Sequence, residues 1–134
     1  MFYDQNRSPG RVDDSTKIIL IVEDDVGVGT FLVQALAQET PYRAVLAANG
    51  LQALNIVRSL KPSLFILDYQ LPFLNGVELY DRLHAMKELE RTPAIIMSAN
   101  LPAREVKERR LINLRKPFEL DDLLNTVEKT LLAA

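Results

Sequence analysis

The chain has 134 residues, 48% hydrophobic and 25% charged, with a net charge of −2; that is the profile of one globular domain with a single good core, and it gives no reason to expect nucleic acid or a membrane surface as a partner. There is no cysteine, which excludes disulfides and thiol chemistry and favours an intracellular setting. No apolar run approaches the roughly 18 residues of a membrane span, and Met1 to Asp14 lacks the apolar centre of a signal peptide, so a cytoplasmic protein is expected.

Residues 1–16 (MFYDQNRSPGRVDDST) have no hydrophobic period and read as a flexible arm, leaving 17–134 as the domain. Lys17 to Val22 (KIILIV) is an apolar strand pattern that runs into Glu23-Asp24-Asp25. Asp25 suits the N-cap of the next helix; Glu23 and Asp24 need another reason, because clustered carboxylates repel unless a cation compensates. Gly27-Val28-Gly29 begins like a dinucleotide fingerprint, but Leu32 stands at the third glycine and the acids would repel a pyrophosphate. Val28, Phe31, Leu32, Ala35 and Leu36 form a helical stripe ending near Glu39.

Arg43 to Ala48 is a short strand closed by Asn49-Gly50, and Leu51, Ala53, Leu54, Val57 and Leu60 make a second amphipathic helix, stopped by Lys61-Pro62. The central stretch follows: Ser63-Leu-Phe-Ile-Leu67 leads straight into Asp68, and Pro72 with Asn75-Gly76 marks a loop. A short apolar run without alternation suits a strand buried on both faces of a parallel sheet. Asp68 then lies at the carboxyl edge, where open α/β sheets place ligands; the plainer alternative is a loop or helix cap.

Val77, Leu79, Tyr80, Leu83 and Met86 give a third helix, with His84 beside the stripe as a partly exposed, idle histidine. Pro93 to Met97 is a fourth strand running into Ser98-Ala99-Asn100. Residues 101–110 are strongly charged, with about two helical turns from Pro102. Arg104, Lys107, Arg109 and Arg110 make that region basic, as a solvated face or a docking surface. Leu111 to Leu114 is a fifth strand, followed by Lys116-Pro117-Phe118 and a last helix over 119–132 carrying Leu120, Leu123, Leu124, Val127 and Leu131 on one face. Strands alternating with helices imply a parallel sheet covered on both faces. One histidine and no cysteine make a zinc site unexpected.

Four pieces together carry a family likeness: ILIVEDD, LDYQLPFLNGVEL around Asp68, IIMSA, and KPF before the last helix. From about Lys17 onward the chain resembles the receiver domain of bacterial two-component response regulators. The resemblance implies a flavodoxin-like, doubly wound five-stranded sheet of order 2-1-3-4-5, with an unusually short fourth helix here. In that order the carboxyl ends of strands one and three are neighbours, so Glu23, Asp24 and Asp68 would form a site for a hard divalent cation, Mg²⁺ with Mn²⁺ as a substitute.

By the same likeness Asp24 and Asp68 bind the metal directly, Glu23 through water, and the Gln70 carbonyl supplies a further oxygen. Asp68 is the implied nucleophile toward a phosphohistidine, Lys116 its fixed cation, Ser98 a hydroxyl donor to the phosphoryl group, and Ala99 a small residue that leaves the site open. The Lys116-Pro117 bond is a candidate cis bond. Gln70 and Asn100 flank the site and could orient a hydrolytic water. The implied partners are a sensor histidine kinase or histidine phosphotransfer protein and a downstream protein target, with the chain a monomer or weak dimer.

Two departures stand out. The aromatic expected three residues before the lysine is Asn113, and the Ser98–Lys116 segment is about one helical turn short, so another output face or a weakened switch is expected. A pseudo-receiver, keeping the fold without phosphorylation, is the main rival. An aspartyl-nucleophile phosphatase needs an acid two residues after the nucleophile, where Gln70 stands, and a flavin site needs a hydroxyl-rich phosphate loop where this chain has acids. The sequence ends at Ala134 without an output domain, as a stand-alone receiver or a piece of a larger regulator.

Overall fold

The apolar runs form five strands in the computed structural model, which describes residues 16–133. These are β1 (Ile18–Val22), β2 (Arg43–Ala47), β3 (Leu64–Asp68), β4 (Ala94–Ser98) and β5 (Leu111–Arg115), all parallel, in the order β2-β1-β3-β4-β5. Between and after them lie α1 (Val26–Glu39), α2 (Gly50–Ile56), α3 (Gly76–His84), α4 (Ala103–Lys107) and α5 (Leu120–Ala133), with a 3₁₀ turn over Lys87–Leu89 that no sequence signal foretold. Apart from Thr16, the expected arm falls outside the described residues.

Every residue of β3 and β4 is buried. Side chains alternate between two cores. Leu20, Val22, Phe65, Leu67 and Ile96 meet α3 through Val77, Leu79 and Leu83 and α2 through Ala53. Ile19, Ile21, Leu64, Ile66 and Met97 meet α1 and α5 through Leu32, Leu36, Leu123 and Val127. Because both faces are apolar, alternation alone does not fix the register of the inner strands. Polar strand ends do: Val22 lies opposite Leu67 and Asp68 opposite Met97, which brings Glu23, Asp68 and Ser98 to one edge.

Three expectations are corrected. Val28 and Phe31 are exposed, at 44% and 55%, while Gly29 turns inward with Leu32, Ala35 and Leu36. A Cβ at Gly29 would come within 2.8 Å of the Leu46 side chain, so the buried face of α1 is set partly by a residue that hydrophobic periodicity cannot see. The second helix stops at Ile56 instead of continuing toward Leu60: Arg58 and Ser59 donate to Asn55 and Ile56 in a tight turn ahead of Pro62, and Leu51 is exposed. His84 is not idle. Its ring stacks on Tyr80 at 3.8 Å, stands edge-on to Phe65, and places Nδ1 and Nε2 2.9 and 2.6 Å from the carbonyls of Tyr80 and Thr92.

Candidate functional site

Each acidic residue reaches the site because a strand ends where it stands. Asp25 does cap α1, accepting from the Val28 amide at 3.0 Å, which leaves Glu23 and Asp24 in the turn between β1 and the helix. Asp68 closes β3 with 5% exposure. Carboxylate oxygens of Glu23, Asp24 and Asp68 lie within 4.8 Å of one another. Lys116, one residue beyond β5, donates through Nζ to Asp68 Oδ1 at 2.9 Å. The Lys116-Pro117 bond is cis.

The cost of this crowding falls on Glu23. Burial pushes its carboxyl up to about 7, against hydrogen bonding from the Asp25 amide at 3.1 Å, with repulsion from Asp68 adding to the rise and Lys116 opposing it. Such a set holds more negative charge than one lysine neutralises. Its donor chemistry, oxygen atoms alone, fits a hard divalent cation that keeps several waters.

The loop after β3 is shaped around Asp68. The Tyr69 amide donates to Met97 at 3.0 Å, and the Gly76 amide returns to Tyr69 at 2.9 Å. A Cβ on Gly76 would stand 2.6 Å from the Asp68 carbonyl oxygen, so only glycine allows this close approach. Asn75 caps α3 in a reciprocal box with Glu78 at 2.8 and 2.9 Å. Gln70 is exposed two residues past Asp68, and among the described residues no hydrogen bond takes up its carbonyl.

Ser98 is buried at the end of β4, and its carbonyl accepts from the Lys116 amide at 2.9 Å. Its Oγ accepts from the Asn100 amide at 3.2 Å; no described hydrogen bond joins it to Asp68. Ala99 and Asn100 are exposed beside it. One feature escaped the sequence reading: Arg109 is not part of a solvated basic face but is only 18% exposed and bonded to Asp81 of α3 and to Glu105. The Glu105–Arg109 spacing was readable as an i, i+4 pair; Asp81, 28 positions away, carries no local signal.

The chain belongs to the response regulator receiver domain family, which matches residues 19–128. It is 36% identical over 117 residues to Sporulation initiation phosphotransferase F of Bacillus subtilis, spanning 84% of this chain and 92% of that protein. The fold is that of Vibrio cholerae chemotaxis protein CheY4, with a TM-score of 0.79 at 22% identity over 87% of this chain and 99% of the other. It is also similar to the receiver domain of sensor histidine kinase PA1611 from Pseudomonas aeruginosa, described with a magnesium ion coordinated in its active site cleft (TM-score 0.71, 25% identity, 87% and 98% covered). No helix among the described residues is long and apolar enough to cross a membrane.

Proposed function

We propose that the chain is a phosphoacceptor of a two-component phosphorelay: Asp68 takes a phosphoryl group from a phosphohistidine on a sensor kinase or phosphotransfer protein, and the added charge alters contacts with a downstream protein. The observation that carries this reading is the Lys116–Asp68 pair at 2.9 Å inside the Glu23, Asp24 and Asp68 cluster. A buried carboxylate with its own cation, at the carboxyl edge of a parallel sheet, is poised for attack and not merely for capping.

In the transfer an oxygen of Asp68 bonds to phosphorus as the phosphorus–nitrogen bond breaks, and the electron pair leaves with the donor's imidazole. Asp24 and Asp68 would hold Mg²⁺ or Mn²⁺ directly, Glu23 through water, and the Gln70 carbonyl would add an oxygen. The bound cation supplies charge neutralisation and in-line orientation of the transferring group. Lys116 shifts from the carboxylate to a phosphoryl oxygen, and Ser98 donates to another. Ala99 leaves room for the group, while Gln70 and Asn100 orient the water that later removes it. No turnover of an independent substrate is expected. The magnesium described in the Pseudomonas aeruginosa neighbour supports the cation assignment.

The test is incubation with a small acyl phosphate and Mg²⁺, followed by intact-protein and peptide mass spectrometry. One phosphoryl group on the wild type and none on Asp68→Asn is the expected result. Absence of label on the wild type leaves the pseudo-receiver reading in its place.

A further inference from the structure

The segment between Ser98 and Leu111 is thinly attached to the fold. α4 is five residues long, buries none of them, and starts at Pro102 without a side-chain cap. Leu101 gives it a partial apolar anchor. Its polar anchors are the Arg110 amide, which donates to Tyr80 Oη of α3 at 3.3 Å, and, as the only charged one among the described residues, Arg109, just past the helix. Its Nε and Nη2 donate to both carboxylate oxygens of Asp81 on α3, at 2.8 and 2.9 Å, and Nη1 donates to Glu105 at 2.8 Å. Such a forked bond fixes orientation as well as distance. The Arg109 hydrogen bonds hold the Asp81 carboxyl below its usual range, and Asp81 raises the guanidinium in return. Among the described residues this is the one ion pair joining the segment to another element.

The other end of the same segment is Ser98, whose Oγ is engaged by the Asn100 amide in a local turn. The Asn100 amide uses a lone pair of Oγ and leaves the hydroxyl hydrogen free to donate; drawing Ser98 toward a phosphoryl group on Asp68 would carry the loop after β4 with it. We infer that Arg109 is a positioning residue: its forked bond to Asp81 is a latch that holds the Ser98–α4 segment in the arrangement described above and so opposes the switch. This rests on the phosphoacceptor reading. The latch acts whatever side chain occupies position 113, which suits a chain with Asn113 on its fifth strand. Without Arg109, Glu105 and Glu108 would face Asp81 with no cation between them, and repulsion would free the segment.

The experiment is titration of the Mg²⁺-saturated protein with beryllofluoride, a phosphoryl mimic, followed by amide NMR. A latch that disfavours the switched state lowers apparent affinity by the fraction it withholds. Arg109→Ala therefore binds about two- to fivefold more tightly, the scale of one well-made surface ion pair, and Arg109→Lys falls between it and the wild type. Asp81→Asn tightens binding too, and adding it to Arg109→Ala gives no further gain. Unchanged or weaker binding in Asp81→Asn, or additive effects in the double variant, overturns the latch. Asp81 lies on the exposed side of α3, so that variant decides the matter even where Arg109→Ala fails to fold. A wild type that binds no beryllofluoride at Asp68 overturns the phosphoacceptor reading; a wild type that binds it with all variants alike overturns the latch alone.

Discussion

Lys116 and Asp68 meet at 2.9 Å although β4 lies between the strands that carry them. The lysine stem spans that width, leaving its side chain 39% exposed while the carboxylate is 7% exposed. Asp68 is thus buried beside Glu23, with Asp24 exposed next to them, and Lys116 is the cation in contact with it. Lys116→Ala should lower phosphoryl uptake from a small acyl phosphate at least tenfold, since the charge developing on the transferring oxygens loses a fixed partner. It should also destabilise the metal-free protein by about 1 kcal/mol. Saturating Mg²⁺ should shrink that loss, because the cation then neutralises the same carboxylates. Urea denaturation with and without Mg²⁺ reads the difference; an equal loss in both would mean that Lys116 acts on something other than the cluster.

Glu23 gives the site a pH dependence whose sign is fixed. Its folded carboxyl stands at about 7, against 4.5 for the free group, so the folded state binds the extra proton between those values. Its stabilising contribution in metal-free protein is full below about pH 4.5 and is lost as pH rises toward 7. Metal binding runs the other way, because the ligand set must be ionised. Calorimetric titration should show Mg²⁺ affinity roughly tenfold weaker at pH 6 than at pH 8, and Glu23→Gln should flatten that slope. A pH-independent affinity in the wild type would remove Glu23 from the metal's surroundings.

The parts legible in the sequence are those where one residue type states its own environment. The runs IILIV, LFILD and AIIMS read as buried strands because no polar residue interrupts them before the carboxyl edge. Asp25 reads as a cap because a short polar side chain precedes a helical stripe; Asn49 and Asn75, legible only as the end of a strand and a loop, cap α2 and α3 in the same way. What stayed hidden depends on partners distant in the chain. Gly29 faces Leu46, so the inward side of α1 differs from the one its aliphatics suggest. His84 finds the Thr92 carbonyl only once β4 is packed. The meeting of Glu23 with Asp68 needed the strand order, which family likeness supplied and composition did not.

Gly76 should tolerate no side chain. A methyl there collides with the Asp68 carbonyl oxygen at 2.6 Å and crowds the Tyr69 backbone at 3.0 Å, neither of which can rotate away. Gly50 is the control: its added Cβ would meet side chains and no backbone, Leu74 at 3.3 Å and Leu79 at 3.6 Å. Gly76→Ala is expected to lose about 1–3 kcal/mol of stability and to slow phosphoryl uptake by displacing the strand end that carries Asp68. Gly50→Ala should cost less than half as much and leave uptake unchanged. Equal losses in the two would show that the Gly76 contact is relieved by movement of the loop.

Phe73 is an exposed residue that works against the fold. It lies in the loop between β3 and α3 at φ 71, in the left-handed region where an L side chain costs roughly 1–2 kcal/mol, and it is 79% exposed, so little packing repays that cost. Glycine removes the steric penalty but adds about 0.5–1 kcal/mol of backbone entropy to be lost on folding. Phe73→Gly should therefore stabilise the protein by about 0.5 kcal/mol, the balance of those two effects, whereas Phe73→Val, stiffer at Cβ, should destabilise it. Denaturation midpoints at unchanged slope check both. A less stable Phe73→Gly would mean that the ring makes contacts worth more than its exposure implies.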